Sequence, residues 1–432
     1  MSNMTKMDAI AQQVDQWIND DKKEITKFLS ALVQCQTPSP PGDTRKAMAL
    51  VEGFLSSRSL PFEKVTADET MPNLISTMTM PLEGRHLMLS GHLDVLPAGS
   101  EPGWLHDPWS GHISDGCVWG RGTADMKAGV TVMLFAYLYL TRLRKSLSGR
   151  LSIVLASDEE TGMGRGTGYM FSQIPDQMEA DCVLSPEPSG TEAITFSSKG
   201  YLHFLVTVET RGSIAGYPNY SANAIRIATD IIRDLDELEQ ITADIPSAIS
   251  SRLNDGDYRA WYDNMYGEGS AEVIPVISTN IGTITGGDSP AVIASNFEFE
   301  VTVVMPTGLN PHVIFEKASD IVSRYPEARI ELMRADLGDI SNPDNEMVAI
   351  LQDTVIDLGW PKPQLVPDVA ISDLRYWRHR GIPGFWYGPN GENVSAANES
   401  VNIEKMLHLL RTYVFTSARY LQATVPLNDD IS

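Results

Sequence analysis

The sequence has few cysteines, a deficit of positive charge and no long apolar run. Its three cysteines, Cys35, Cys117 and Cys182, are too few and too scattered for a disulfide framework or for a zinc site made of thiolates. They are typical of a reducing compartment, so we expect a cytoplasmic protein. No apolar run approaches the ~20 residues that span a bilayer, and the polar N-terminus lacks the apolar core of a signal peptide. The sequence therefore predicts no membrane partner.

The deficit of positive charge restricts the partners further. With 33 Lys and Arg against 56 Asp and Glu, the formal net charge is -23. Such a chain would repel nucleic acids and anionic lipids, so neither is expected as a partner. An acidic surface most often serves solubility alone. Acidic residues that share a pocket would nevertheless attract a metal cation.

The order of the predicted elements in the 432 residues indicates more than one domain. Apolar runs of strand length, separated by long helices, predict an α/β fold with a helix-covered, mainly parallel or mixed sheet. The strands are expected at 87–91, 151–157 and 181–185, and the helices at 8–34, 126–145 and 404–422.

A different pattern occupies the middle of the chain. Strands with one polar face are predicted at 203–210 and 297–305, and an amphipathic helix at 222–238. This pattern is typical of a compact α+β domain. We therefore predict a discontinuous catalytic domain and one inserted domain, formed by residues 1–198 and 311–432 and by residues 199–310, respectively.

Two segments combine a histidine or carboxylate with a strand end or a glycine-rich loop. In SGHLDV, His92 and Asp94 follow a buried strand and project to the same side of an extended chain. Asp94 would then orient a ligating imidazole, although a solvated loop pair is the simpler alternative. In GRGTADMKAG, Asp125 ends a glycine-rich loop, where a helix N-cap is the alternative.

Two further segments are purely acidic. ASDEETG places Asp158, Glu159 and Glu160 side by side after an apolar strand, where three carboxylates repel one another unless a cation compensates. An acidic surface turn is the alternative. In LSPEPSG, Glu187 follows another short apolar strand.

Together the four segments predict one metal site. His92, Asp125, Glu160 and Glu187 are all expected at the carboxyl ends of strands, where open α/β sheets place their sites. Nitrogen and oxygen ligands suit Zn²⁺, with Co²⁺ or Mn²⁺ as substitutes. A carboxylate beside the metal would help to make hydroxide from water at neutral pH.

These motifs resemble the zinc-dependent aminoacylase and carboxypeptidase superfamily, which includes acetylornithine deacetylase, succinyl-diaminopimelate desuccinylase and glutamate carboxypeptidase. The matching stretches are GHLDVLPAG, DPWSG with GRGTADMKAG, ASDEETG, SPEP, SDLRYWRHRGIPGFWYGP and NESV. The resemblance implies a metallopeptidase-like hydrolase of small molecules that binds one or two zinc ions. It also implies that the inserted domain is a lid and that the protein forms a homodimer through it.

The resemblance further implies a role for each residue of the metal site. His92 and Glu187 would hold one zinc ion, Asp125 would bridge to a second, and Glu160 would bind that second ion. Glu159 would be the general base that activates water.

The remaining roles concern orientation and substrate. Asp94 would orient His92, and Asp373 and Arg375 in SDLRYW fall where the family often places residues near the substrate.

The sequence departs from the family at the last zinc ligand. The family supplies this ligand as a histidine four residues before the Glu of its C-terminal Asn-Glu motif, and here Ser395 stands at that position. No histidine lies between Gly388 and Val401. A serine hydroxyl is a poor zinc ligand compared with imidazole. Glu392, Asn393 or water are the possible replacements.

The lid departs from the family as well. Ile214 takes the place of the histidine that stabilises the oxyanion in the partner subunit of family members, and residues 291–294 read AVIA where Asn-Val-Ile-Pro is common. The arginine that often grips a substrate carboxylate falls near Val303. Losing one oxyanion donor typically costs ~10²–10³ in rate.

Three functions are consistent with this pattern of retained and replaced residues. The first is a metallohydrolase that cleaves an amide bond of an acyl-amino-acid or peptide-like molecule with a remodelled active site. The second is a repurposed metalloenzyme of a biosynthetic pathway that catalyses condensation, cyclisation, elimination or isomerisation. The third is a non-catalytic binding homologue.

Overall fold

The computed structural model describes residues 6–99 and 103–422, and these form two compact units. The first unit consists of the chain up to Phe196, Ser341–Val366 and the residues from Ser372 onward. The second unit consists of Ser197–Ile340 and Pro367–Ile371. Its start lies close to the predicted boundary at 199, but its end lies well beyond 310.

A mixed sheet forms the centre of the first unit. Its two central strands, Leu82–His92 and Ser148–Ala156, run parallel, and Cys182–Ser185 and Gly384–Trp386 continue the parallel arrangement on one side. Within the first unit, the strands follow the order Glu63–Thr66, Pro72–Thr79, Ser148–Ala156, Leu82–His92, Cys182–Ser185, Gly384–Trp386 and Ala193–Ser198.

The central strands are buried along most of their length because helices cover the sheet. Every residue from His86 to His92 is buried, as expected for a continuous apolar run. The helix Ala128–Leu143 is buried on every side through Leu140, and the helix Ile403–Tyr420 packs against it. The predicted α/β class with a mixed sheet is therefore confirmed.

The helices of this unit are Lys6–Gln34, Arg45–Ser57, Ala128–Leu143, Thr167–Gln173, Pro175–Met178, Glu346–Asp357, Arg375–Arg378 and Ile403–Tyr420, with a short 3₁₀ turn at Arg144–Ser146.

A small antiparallel sheet lies within a region that the sequence presents as a loop. The hairpin of His112–Ser114 and Cys117–Trp119 turns at Asp115 and Gly116, both of which have a positive φ. Cys117–Trp119 then pairs with Ser400–Asn402, which pairs with Gly391–Glu392. This sheet brings the C-terminal segment beside the glycine-rich loop that carries Asp125.

The second unit is an antiparallel sheet with helices on one face. Along the strand Gly200–Glu209, buried and half-buried residues alternate, as predicted from its sequence. Asn223 caps the first helix by accepting hydrogen bonds from the N–H groups of Ile225 and Arg226. The strands of the sheet follow the order Ser278–Gly286, Asn296–Met305, Gly200–Glu209 and Ala328–Asp336, and a separate small ladder joins Ser213–Ile214 to Val292–Ile293. The helices are Ala224–Asp234, Ser247–Leu253, Gly256–Tyr266, Ser270–Val273 and Pro311–Val322, with a 3₁₀ helix at Leu235–Gln240.

The second unit extends past the predicted boundary because a late strand completes its sheet. Ala328–Asp336 pairs along its length with Gly200–Glu209. The helix Pro311–Val322 contributes Ile314 and Val322 to the same apolar core. In the sequence these elements look like a return to the first domain, since amphipathic helices and strands are common to both.

Within the described ranges, no helix combines the length and the apolarity that crossing a membrane requires.

Candidate active site

His92 is the last residue of a buried central strand, and its imidazole lies at the centre of a carboxylate cluster. Its Nδ1 donates a hydrogen bond to the backbone carbonyl oxygen of Asp94, at 2.9 Å. Because a carbonyl only accepts, Nδ1 carries a proton, and Nε2 is the ring nitrogen that faces the carboxylates. Nε2 faces Oδ1 of Asp125 at 3.3 Å, Oε1 of Glu187 at 3.5 Å and Oε2 of Glu159 at 3.9 Å. The ring is therefore set up to bind a cation through Nε2.

The Asp94 carboxylate is fully buried and holds the neighbouring acidic turn in place. It accepts hydrogen bonds from the backbone N–H groups of Glu159 (3.2 Å) and Glu160 (3.1 Å). Its Oδ1 lies 3.6 Å from Nδ1 of His92, beyond hydrogen-bond distance. Asp94 therefore orients His92 through its carbonyl, whereas its carboxylate positions the two glutamates. Burial raises the pKa of Asp94 to about 6, and the positive charge of His92 opposes that shift.

Asp125 lies in a tight loop ahead of the long apolar helix. That helix begins at Ala128 with Lys127 as its cap residue, so the N-cap alternative for Asp125 does not apply. The backbone of Asp125 is extended (φ -120°, ψ 96°), and its peptide bond to Met126 is cis. The Asp125 carboxylate faces Nε2 of His92.

Glu160 completes the group of possible metal ligands. Among the residues that the structure describes, His92, Asp125 and Glu160 form the one group of His, Cys, Asp or Glu ligand atoms that all lie within 4.8 Å of one another. Glu187 is not part of this group, but its carboxylate faces the same nitrogen, Nε2 of His92. One oxygen of Glu160 also accepts a hydrogen bond from the backbone N–H of Leu96, at 3.1 Å.

The protonation of the three glutamates reflects burial and mutual repulsion. Burial raises the pKa of Glu159 and Glu160 well above the usual range and that of Glu187 to about 7. Charge on Asp125 raises the pKa of Glu160 and Glu187 further, and the positive charge of His92 opposes all three shifts.

A divalent cation would fit this cluster. Burial alone would lower the pKa of His92, but the charge of Glu187 and a hydrogen bond to Asp125 raise it well above 6.5. Without a cation the site must therefore hold extra protons, and a cation would replace them. One imidazole nitrogen and several carboxylate oxygens are a donor set that suits zinc.

Asp373 and Arg375 lie beside the predicted general base. Asp373 accepts a hydrogen bond from Oγ1 of Thr167 at 2.6 Å, and its Oδ1 lies 3.7 Å from Nη1 of Arg375. Beyond the effects of burial, His92 and Glu187, the charge of Asp373 raises the pKa of Glu159 and that of Arg375 lowers it. Both residues thus act electrostatically on Glu159.

The candidate replacements for the lost ligand lie on the surface. Ser395 is exposed, with a φ of +59°, and its carbonyl oxygen accepts a hydrogen bond from Arg121. Glu392 is exposed at the end of the small sheet and lies outside the compact ligand group described above. The structure thus leaves Glu392 outside that group and exposes the side chain of Ser395 to solvent.

The substituted lid positions lie in the second unit. The side chain of Ile214 is 59% exposed, whereas Val303 is fully buried in the apolar core of that unit. A side chain at position 303 itself points into this core, and the expectation of a substrate-binding position near Val303 stays a prediction. Thr302 and Val304, which are half-buried, point to the other face of the strand.

Sequence reasoning missed two charged residues that support the site. Glu399 is fully buried and accepts hydrogen bonds from the glycine-rich loop, and Arg121 forms an ion pair with it at 2.7 Å. The only signal in the sequence is the Asn-Glu motif at 398–399, which we used to count back to Ser395.

The chain belongs to Peptidase family M20/M25/M40, whose model matches residues 88–418. The match includes every candidate residue of the metal cluster. The predicted membership of the aminoacylase and carboxypeptidase superfamily is confirmed, and so is an enzyme of the hydrolase type.

Solved structures share this fold at low sequence identity. Human carnosine dipeptidase 1 is 16% identical with a TM-score of 0.77, and the alignment covers 95% of this chain and 100% of that one. The M20 metallo-carboxypeptidase Sso-CP2 from Sulfolobus solfataricus is 15% identical with a TM-score of 0.77, and the coverage is 92% and 98%. A dinuclear metal-binding M20 peptidase from Bacillus subtilis is 13% identical with a TM-score of 0.59, and the coverage is 93% and 99%.

Proposed function

We propose that this protein is a zinc-dependent hydrolase that cleaves an amide bond in a small acyl-amino-acid or peptide-like molecule. The observation that carries the proposal is the convergence of Asp125, Glu187 and Glu159 on Nε2 of His92, within 3.9 Å. Co²⁺ and Mn²⁺ are expected to substitute for Zn²⁺ because they accept the same donors.

Each residue has a distinct task in this proposal. His92, Asp125, Glu160 and Glu187 hold the metal, which when bound supplies Lewis acidity and compensates the negative charge. Glu159 takes a proton from the attacking water and returns it to the leaving nitrogen. Burial raises the pKa of Glu159, which suits a group that must both accept and release a proton.

The substrate is expected to contact groups beside Glu159. Asp373 and Arg375 are the candidates, since the charges of both act on the pKa of Glu159. Ile214 would make an apolar lid contact and favour a substrate with less charge than an acyl-amino acid with a free carboxylate.

Substitution of the general base tests the proposal most directly. Glu159→Gln removes the proton acceptor and keeps the shape, so we expect turnover of a panel of N-acyl amino acids and dipeptides to fall by ~10²–10⁴. Glu83→Gln is the matched control, since Glu83 lies exposed at the far end of the strand that carries His92. Hydrolysis that survives in Glu159→Gln at the rate of the control would refute the assignment of Glu159.

A non-hydrolytic reaction in a biosynthetic pathway is the second candidate. The observation that favours it is the loss of histidine both at position 395 and at position 214, because amide hydrolysis relies on stabilising an oxyanion. Reactions in ¹⁸O-labelled water separate the two functions, since hydrolysis places one solvent oxygen in the product. Metal binding without turnover of any tested compound would instead support a binding homologue.

We further propose a homodimer that forms through the second unit and works in the cytoplasm. The strand Ser278–Gly286 is an edge of its sheet, carries no charged residue and is largely exposed. Such an edge is suited to pairing with a second copy of the chain. All three cysteines are free thiols, which is consistent with a reducing compartment.

A further inference from the structure

The glycine-rich loop that carries Asp125 is wrapped around a single buried carboxylate. Oε1 of Glu399 accepts hydrogen bonds from the backbone N–H groups of Ala124 (2.8 Å) and Asp125 (3.2 Å). Oε2 accepts from the N–H of Gly122 (3.0 Å) and from Nη1 of Arg121 (2.7 Å). Both carboxylate oxygens are therefore fully engaged with four donors from consecutive parts of one loop.

The loop can take this shape only because of its glycines. Gly122 has a φ of +80°, and a Cβ at this position would lie 2.4 Å from Cγ1 of Val95. The N–H group of Gly122 thereby reaches Oε2 of Glu399. The loop conformation and the buried carboxylate thus depend on each other.

Arg121 extends the connection to the segment that contains Ser395. Its Nη2 donates a hydrogen bond to the carbonyl oxygen of Ser395, at 3.1 Å, while Nη1 binds Glu399. The guanidinium is almost completely buried. A planar group with two donor sites can hold both acceptors at once, which a lysine ammonium at the same position would not reproduce.

We propose that Glu399, acting with Arg121, is a positioning residue that sets the orientation of Asp125 for metal binding. The inference rests on the proposed function, because it assumes that Asp125 is a metal ligand. Glu399 does not itself belong to the ligand group. It fixes the backbone from Gly122 to Asp125, and through this backbone it fixes the direction in which the Asp125 carboxylate points.

Glu399→Gln is a nearly isosteric test of this role. A Gln amide has one acceptor oxygen, whereas the loop presents donors to both positions, so the amide NH₂ must face either Arg121 or the N–H groups of Ala124 and Asp125. We expect Co²⁺ to bind to the metal-free variant ~10–100-fold more weakly than to the original protein, with a changed visible absorption spectrum. We also expect faster amide hydrogen exchange in peptides that cover residues 122–125.

Glu404→Gln is the matched control. Glu404 lies on the surface in the first turn of the helix Ile403–Tyr420 and pairs with the exposed Lys22, so its loss should leave the Co²⁺ affinity unchanged. A merely structural role of Glu399 would lower the thermal unfolding temperature but leave the Co²⁺ affinity and spectrum of the folded protein as in the control. That result would overturn the inference.

Arg121→Lys gives a second, independent measurement. It leaves the three backbone donors of Glu399 in place and removes the simultaneous contact with Ser395, so we expect a Co²⁺ affinity between those of the original protein and Glu399→Gln. If Glu399→Gln does not fold and Arg121→Lys binds Co²⁺ as tightly as the original protein, the inference is overturned. If the original protein binds no Co²⁺ at all, the proposed function fails together with this inference. Weaker binding in the variants alone supports both.

Discussion

At the scale of single residues, the structure gives Asp94 a second task beside the orientation of His92 that the sequence predicts. The carbonyl of Asp94 orients the His92 ring, whereas its carboxylate binds the N–H groups of Glu159 and Glu160. One residue therefore determines both which nitrogen of His92 faces the carboxylates and where the acidic turn lies.

The replacement of the last histidine ligand by Ser395 leads to a prediction about metal content. Ser395 is exposed and Glu392 lies outside the compact ligand group, so we expect one tightly bound zinc ion per chain of the original protein. Ser395→His restores an imidazole and should raise the content toward two ions, measured by elemental analysis after purification without chelators.

Val394→His is the control for this experiment, since it adds an imidazole one residue away. It is expected to leave the metal content at one ion. Two tightly bound ions in the original protein would contradict the interpretation of Ser395.

At the scale of elements, one exposed strand of the second unit governs the proposed assembly. Among the described residues, Ser278–Gly286 pairs with Asn296–Met305 on one side and with no strand on the other. The opposite edge strand, Ala328–Asp336, carries several charged residues. Charged residues at an edge oppose pairing between chains. The two edges of the same sheet therefore differ in their capacity to pair.

We expect a lysine in the uncharged edge strand to disrupt the dimer. Ile284 is 64% exposed, and Ile284→Lys should shift the molar mass from dimer to monomer in light scattering at micromolar concentration. Met333→Lys places the same charge on the opposite edge strand and should leave the dimer intact. A monomeric original protein would contradict the proposed homodimer, and an unchanged dimer in Ile284→Lys would place the interface elsewhere.

At the scale of the whole molecule, buried carboxylates make the metal-free fold sensitive to pH. The pKa of Asp94 is about 6 and that of Glu187 about 7 in the folded protein, against 3.8 and 4.5 for the free side chains. A raised pKa means that the folded state holds protons which the unfolded state releases. The stability that these groups contribute to the folded state is therefore fully present below about pH 4 and is lost as the pH rises through 6 and 7.

We therefore expect metal-free protein to lose stability between pH 5 and pH 8. The loss from Glu187 alone is on the order of 3 kcal/mol in the free energy of unfolding, since its pKa rises from 4.5 to about 7. Denaturant unfolding of chelated protein at several pH values measures it. Zinc should restore stability at pH 8, and Glu187→Gln should flatten the pH dependence. A metal-free protein that is equally stable at both pH values would contradict the burial of these charges.

Much of the fold and of the candidate site follows from local sequence patterns. Continuous apolar runs predict the central strands because strands covered on both faces have no polar side. The residues after these strands, His92, Glu159 and Glu187, could be singled out because strand ends converge at one edge of a parallel sheet. The structure brings a carboxylate oxygen of Glu159 and one of Glu187 within 3.9 Å of Nε2 of His92.

Only the tertiary structure decided the features that depend on pairing between distant segments. Glu399 and Arg121 are 278 residues apart, and neither gives a local signal that it is the other's partner. The strand Ala328–Asp336 belongs to the second unit because of its pairing with Gly200–Glu209, and not because of its own composition. The sequence thus determined which chemical groups the chain carries and where its strands end. Long-range hydrogen bonds and burial, which no local pattern encodes, decided how those groups are held.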